Sequence, residues 1–479
     1  MIRFNLHIAF LLVSCFAFGQ NLTQSEKYWL EDRKTLHSSY QNEFNFFPDT
    51  IFKNEGKFKY SFAPSILVGT NGTNLKTNSG VQFIGYRKFS DKLNLKIYNE
   101  LGYSNGKLTP YESVLQSKSF FYFPIKNDHA VFNDLRGRLS YVPNKHFELQ
   151  TGVDKHFFGE GSRSLLMGNQ GVSSPFVMMK AKIWKLEYIS LHQIWRENQP
   201  GHYLPKASAT HYINFNHKNK ISFGIFESVV HIIKDTLYNR GFEVEYLNPM
   251  IFYRPQEYSV GSSDNVLLGL NGFITMKKSI LYGQVILDDI NIAEIKARSK
   301  WWANKYGLMA GFKRWFTISQ KQVFFRSELS FTTPYTYAAA NNNLNYSNQG
   351  LGLAHPLGGN FAEWYNEVSF DLKSWNIHAW GQFYLKGNDP ANTEISYGGD
   401  IYKSYIKRPF GDYGYSMFIG EKTYRLQIGT KISKLVASKN WTIFAEPRLF
   451  LTKRTPEIVP TFYFTAGIHY NILADKRNY

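Results

Sequence analysis

A two-residue repeat of apolar and polar positions dominates the chain. In Thr461–Ile472 the even positions are Phe462, Phe464, Ala466, Ile468, Tyr470 and Ile472, while the odd ones are Thr461, Tyr463, Thr465, Gly467, His469 and Asn471. Successive strand side chains point to opposite faces, so this pattern predicts one face toward lipid and one toward a wet lumen. Trp375–Leu385 repeats it, with Asn376, His378, Trp380, Gln382 and Tyr384 on the lumen side. Tyr424–Ile432 turns Arg425, Gln427 and Lys431 inward, and Val323–Phe331 does the same with Phe324, Arg326, Glu328 and Ser330.

Weaker segments of the same kind begin near residues 58, 80, 93, 136, 146, 176, 185, 209, 221, 242, 264, 280, 305, 362 and 441. Each runs for about 9–12 residues, the length of a tilted transmembrane strand. Strands of soluble sandwiches and propellers are nearer about 5–6 residues, and no propeller-like repeat is visible. The fold class expected is therefore all-β, a transmembrane antiparallel β-barrel. The segments number about 18 or 19, and the even strand counts of bacterial single-chain barrels select 18.

The gaps are uneven. Ser90-Asp91-Lys92 and Lys277-Lys278-Ser279 read as tight turns, whereas 104–134, 157–174, 338–361 and 387–423 are long and rich in Gly, Asn, Tyr and Pro. Such barrels pair short periplasmic turns with long external loops. Two segments read as helical, Ser25–Ser38 and Ile290–Asn304. Neither is long or apolar enough to span a membrane, so short helices are expected near the periplasmic side or in the lumen.

The N-terminus adds an export route. Arg3 begins a short positive region, Ile8–Phe18 is apolar, and Ala17 and Gly19 supply small residues for cleavage before Gln20. A competing reading takes Leu12-Val13-Ser14-Cys15 as a lipoprotein box with Cys15 lipidated. The expected layout is a signal peptide at 1–19, an N-terminal periplasmic segment at 20–56 and the barrel at 57–479. Cys15 is the one cysteine, so the processed chain holds no disulfide; a closed hydrogen-bonded ladder stabilises it instead. Aromatic residues make up 17% of the chain although its mean hydropathy is −0.34, a pairing that suits lipid-facing rings around a polar lumen. The formal charge of +18 falls by one when Arg3 leaves. A basic balance can mean nucleic acid, which an exported barrel does not routinely meet. That leaves attraction to an acidic glycan, or a generic basic surface.

No enzyme signature stands out. HExxH, GxSxG and Walker-type loops are absent, and Gly159-Glu160-Gly161 is too short for a dinucleotide fingerprint. His378 and His469 fall singly on inward faces, as hydrogen-bonding fillers do. Asp288-Asp289 offers either a Ca²⁺ site or, more simply, a strand end or cap for a helix starting near Ile290. No cofactor, metal or catalytic residue is expected. Two loops have the makeup of a sugar-binding surface, in which rings stack on sugar faces and amides or guanidinium groups read hydroxyls. One carries Tyr335, Tyr337, Tyr346 and Asn341, Asn342, Asn343 and Asn345; the other carries Tyr397, Tyr402, Tyr405, Arg408, Tyr413 and Tyr415. Tyr and Asn also suit exposed loops and membrane interfaces in general.

Several segments carry a more specific likeness. His156–Leu166 (HFFGEGSRSLL) is followed by Ser174-Pro175-Phe176, and Leu247–Leu268 reads LNPMIFYRPQEYSVGSSDNVLL. Leu281–Asp288 (LYGQVILD), Trp302–Tyr306 (WANKY), Pro334–Tyr337 (PYTY), Leu353–Asn360 (LAHPLGGN) and Tyr397–Asp400 (YGGD) continue the series in order over 140–400. Together they resemble the Wzi capsule-assembly outer-membrane proteins and their RemB-type gliding-motility relatives.

That resemblance implies an 18-stranded outer-membrane barrel binding surface or capsular polysaccharide and supporting its assembly or attachment. The motility relatives imply an alternative role in gliding. Implied partners are that polysaccharide, outer-membrane lipids and other cell-envelope export or motility components. The positions it implies for glycan binding or a lumen network are Gly159, Gly161, Arg163 and Ser164; Asn248, Arg254, Glu257, Asp264 and Asn265; and His355, Asn360 and Glu363. Their plainer roles are backbone geometry for each glycine, turns at Asn248-Pro249 and Arg254-Pro255, and an ion pair of Arg254 with Glu257 or Asp264 that holds a plug. Two further functions stay open: an anion-selective channel lined by Arg425, Lys431 and Arg326, and a barrel hydrolase of lipids or glycans.

Overall fold

The computed structural model describes residues 39–41, 58–70, 75–105, 121–124, 129–199, 202–233, 244–248, 264–436, 441–454 and 457–470. Antiparallel pairing runs along the chain through β1 (Lys59–Thr70), β2 (Leu75–Ser90), β3 (Leu93–Ser104), β4 (Ala130–Tyr141), β5 (Phe147–Asp154) and β6 (Ser174–Ile183). It continues through β7 (Leu186–Gln199), β8 (His202–His217), β9 (Ile221–Ile232), β10 (Asn265–Met276), β11 (Ser279–Asp289) and β12 (Lys305–Ile318). The last six are β13 (Lys321–Thr332), β14 (Phe361–Leu372), β15 (Trp375–Asn388), β16 (Glu421–Val436), β17 (Trp441–Arg454) and β18 (Glu457–Tyr470). The sheet closes where β1 meets β18, from Ser65 opposite His469 to Thr70 opposite Phe464. A short piece, Phe121–Pro124, extends the ladder beside Ala130–Asn133 on the edge that β5 takes lower down. Closure gives each strand two partners, the condition for crossing hydrocarbon.

The inward and outward faces follow the two-residue repeat. Tyr463, Thr465, Gln382, Gln427, Glu328 and Ser330 are buried inside, while Phe462, Phe464, Phe383, Ile428 and Leu329 stand exposed on the outer wall. Eighteen strands form, and the segment near 242 is not among them: Val244–Leu247 is a 3-10 turn whose Tyr246 packs on Ala209, Val229 and Val266 of the barrel wall. Its alternation (VEYL) reflects one side lying on that wall.

Strand order also assigns the two ends. The connections 91–92, 142–146, 184–185, 218–220, 277–278, 319–320, 373–374 and 437–440 are all short and share one end; the long 105–129, 155–173, 233–264, 290–304, 333–360 and 389–420 leave from the other, together with the short 71–74, 200–201 and 455–456. By the usual asymmetry the short-turn end is periplasmic. The helix expected over Ile290–Asn304 is reduced to Ile292–Lys296, exposed at the long-loop end, so it neither lines the lumen nor sits by the short turns. Its cap is Asn291, whose Oδ1 accepts from Ala293 N at 3.0 Å, and not Asp288-Asp289, which ends β11. The signal peptide, its cleavage site and Ser25–Ser38 lie outside the described residues. Within 20–56 the described Ser39–Gln41 runs inside the barrel, with Tyr40 opposite Phe158 and Gln41 opposite Phe157.

Candidate functional site

After β5 the chain turns into the barrel. In 155–173, Phe158, Leu165, Leu166 and Met167 are completely or almost completely buried. They pack on Ile189, Leu191 and Trp195 of β7, Tyr212 of β8 and Phe226 of β9. The Phe158 ring meets those of Tyr212 and Phe226 edge-on at 5.1 and 5.3 Å. Each such apolar side chain contributes about 1.5–3 kcal/mol when taken from water. The result is a core like that of a soluble protein, built inside a barrel.

The segment reaches from wall to wall. On β4, Arg138 pairs with Asp154 and donates to Gln150 Oε1 at 2.6 Å, Tyr40 Oη at 3.2 Å and Lys155 O at 3.4 Å. On β13, Glu328 accepts the Ser162 N–H at 2.6 Å. In a closed ring of eighteen, β4 and β13 stand on opposite sides. Between them, Lys313 of β12 pairs with Glu160 at 3.1 Å. Gln284 of β11 donates to Phe158 O and accepts from Leu165 N, both at 2.8 Å. Ser164 Oγ closes the turn on Phe158 O at 2.5 Å. Gly159 has φ +136°, and a Cβ there would lie 2.1 Å from Gln284 Nε2. Only glycine fits that approach. At Gly161 a Cβ would lie 2.4 Å from Arg163 O.

Arg163, Glu363 and His355, far apart in sequence, come together here. Arg163 Nη1 lies 2.9 Å from Glu363 Oε2, and His355 Nε2 lies 3.0 Å from the same oxygen. Gln382 of β15 donates to the other carboxylate oxygen, and the Arg163 guanidinium covers the Tyr365 ring at 4.9 Å. The Leu357 N–H points at His355 Nδ1 at 3.2 Å. That nitrogen must therefore be bare, which leaves Nε2–H to donate to Glu363. Burial holds the His355 pKa below its ordinary 6.5 even though Glu363 pulls it upward. Burial, with Arg138 and Lys180 nearby, drives His156 well below the same value.

The remaining expected positions serve structure or lie apart. Asn360 adopts φ +58° and ties three strands' loop ends: Oδ1 accepts from Phe418 N at 2.7 Å, and Nδ2 donates to Ile419 O at 2.8 Å and Gly387 O at 3.1 Å. Asn265 Nδ2 donates to Leu344 O at 3.0 Å. Asp264 accepts from Tyr246 Oη at 2.6 Å, and Asn248 N donates to Glu245 O at 3.1 Å. Arg254 and Glu257, with the lumen ion pair expected of Arg254, fall outside the described residues. His378 does face inward, 3.1 Å from Glu367. Asp288 is engaged by Lys305 Nζ at 2.7 Å and by Tyr337 N at 2.7 Å.

One set of expected sugar-reading residues is corrected. Tyr335, Tyr337, Tyr346 and Asn345 are buried, not displayed, because 333–360 also folds inward. Tyr335 and Tyr337 adopt φ +66° and +74°, a strained conformation for bulky residues. Tyr337 Oη holds its place by donating to Leu165 O of the plug at 2.8 Å, and Tyr335 Oη donates to Ser396 O at 2.6 Å. Gln284, Lys313, Glu328 and Arg138 were missed as plug holders. Alternation marks Lys313, Glu328 and Arg138 as inward, yet nothing local names their partners.

No family model matches the chain, and no curated protein matches it in sequence. In structure it is similar to Wzi of Escherichia coli, described as an outer-membrane protein involved in group 1 capsule assembly and a carbohydrate-binding β-barrel. The TM-score is 0.58 at 15% identity, covering 94% of this chain and 98% of that one. It also aligns with OprD of Pseudomonas aeruginosa at a TM-score of 0.46 and 7% identity, over 90% and 98% of the two chains. The class this defines is the outer-membrane β-barrel, closed by eighteen antiparallel strands. Within that class the architecture is Wzi-like.

Proposed function

We propose that this chain resides in the outer membrane and binds surface or capsular polysaccharide, supporting its assembly or attachment at the cell surface. The observation that carries the reading is the inserted segment 155–173, pinned to opposite walls through Arg138 and Glu328. A lumen bridged in this way favours a receptor over a conduit. The inward cations point the same way. Arg326 lies 3.1 Å from Glu367 and 3.8 Å from Glu328, while Arg425 and Lys431 lie over the rings of Tyr384 and Phe444. With Arg326 charge-paired and Arg425 and Lys431 partly covered by rings, the row offers anions less than three open cations would. Likeness to a barrel described as carbohydrate-binding supports the choice of ligand.

The reading is of a binder, with no catalytic role. Glu363, Glu160 and Asp288 are each paired with a cation, so none is poised as a free general acid or base. The test is a deletion strain scored for polysaccharide in the medium against polysaccharide on the cell. Release into the medium is expected. Fully retained surface polysaccharide, with loss of surface movement instead, would move the protein to a motility role.

A further inference from the structure

At the long-loop end, 290–304 and 389–420 are stitched together. Trp302 N donates to Asp412 O and Tyr415 N donates to Lys300 O, both at 3.0 Å. Along this seam the Trp302 and Tyr405 rings lie 4.6 Å apart, tilted by 39°, and the Arg408 guanidinium covers Trp302 at 4.5 Å. Arg408 is held by Gly411 O at 3.0 Å, Tyr405 O at 3.2 Å and Asp412 Oδ1 at 2.7 Å. Beside it Phe410 and Tyr413 leave their rings 47% and 54% exposed. Phe410 is backed by Tyr415 at 6.0 Å and Tyr397 at 6.1 Å. Among the exposed charges of these two loops Lys296, Arg298, Lys300 and Lys407 stand against Glu394 and Asp412, while the half-buried Lys403 and Arg408 stand against Glu294, Asp389 and Asp400.

We propose that this seam is a binding subsite for an acidic polysaccharide, with Phe410 and Tyr413 receiving pyranose faces and the surrounding lysines and arginine receiving carboxylates. The proposal deepens the polysaccharide-binding reading and rests on it. Ring faces carry negative charge and sugar faces carry slightly positive C–H groups, so stacking is favourable as well as apolar. Backbone stitching and the fixed Arg408 place these groups before any ligand arrives, which lowers the ordering cost of binding. The excess of basic over acidic groups among the exposed side chains, four to two, favours a polyanion and makes binding salt-sensitive. The seam's base is Tyr335, buried and 6.0 Å from Trp302. Ile401 of the 389–420 loop belongs to the lumen core and Tyr402 packs against it, so the platform's own loop roofs the filled lumen, where a soluble polymer arrives.

The experiment uses the whole barrel in detergent micelles, with alginate as the polyuronate and dextran as the neutral control. Alginate is expected to bind, to weaken with added salt, and to lose about tenfold or more in affinity in the Phe410→Ala/Tyr413→Ala variant. Lys300→Glu/Lys407→Glu is expected to weaken alginate and leave dextran unchanged. Heat-modifiable gel mobility confirms that each variant is folded. Equal alginate binding by wild type and the aromatic variant overturns the subsite while leaving the polysaccharide reading intact. Binding of neither polymer by wild type overturns that reading itself. Salt-insensitive binding of dextran as tight as alginate overturns the acidic class. Retained alginate binding with lost partition into lipopolysaccharide vesicles would reassign the seam to lipid.

Discussion

Glu363 sits in a place where a carboxylate survives only in company. Arg163, His355 and Gln382 all address it, and all four residues are buried. Removing one member of a buried ion pair leaves an uncompensated charge and typically costs about 3–5 kcal/mol. Arg163→Ala is therefore expected to lower the urea midpoint of the micelle-embedded barrel by an equivalent of about 3 kcal/mol. Arg163→Met/Glu363→Gln should be milder, and an Arg163→Ala midpoint equal to wild type would remove this pair as a plug anchor. His355 and His156 add a pH dependence. Both stay neutral in the fold below 6.5, whereas the unfolded chain takes up their protons near that value. Their stabilising contribution is thus whole above about pH 6.5 and is lost as pH falls toward the lowered folded values. Thermal midpoints should drop between about pH 7.5 and about pH 5, and drop less in His355→Gln/His156→Gln. An identical pH slope in that variant would show that other groups set the acid response.

At the scale of the strand, alternation decides which face meets lipid. Ile428, near the middle of β16, is 49% exposed on the outer wall while its neighbour Gln427 is 5% exposed inside. An arginine facing lipid at the midplane costs about 2–4 kcal/mol. Ile428→Arg should lose about that much in a liposome refolding titration, and Gln427→Arg clearly less. Similar losses for the two would mean that the wall is not lipid-facing there. Alternation was less informative where a segment rests on something other than lipid or lumen. Val244–Leu247 mimicked a strand because Tyr246 lies on the wall, and Ile290–Asn304 keeps only the short helix Ile292–Lys296, whose apolar Ile292 and Ile295 stay exposed.

For the whole molecule, the consequence of the inserted segment is a barrier across the lumen. Deleting 157–166 removes Phe158, Arg163 and Leu165 together with their wall contacts. The shortened protein is expected to conduct in planar bilayers at several times the wild-type level. A large, stable, anion-selective wild-type conductance would instead make the protein a channel. The seam proposed for polysaccharide lies on the same loops that roof this barrier, so deletion should also weaken alginate binding.

The sequence by itself determined the strand faces and the uneven ends, because a period of two and the cost of polar groups in lipid act locally along each segment. The strand number needed the even-count rule as well, since the segment near 242 alternates without being a strand. HFFGEGSRSLL and LAHPLGGN could be singled out as unusual, and Arg163, His355 and Glu363 with them. That they meet was not legible, since Arg163 and Glu363 are 200 residues apart and Ser162 and Glu328 are 166 apart. Nor could composition say that the PYTY tyrosines turn inward while Phe410 and Tyr413 face water. Only closure of the barrel decides this, because burial of a loop depends on which walls it finds across the lumen, and those walls are assembled from strands remote in sequence.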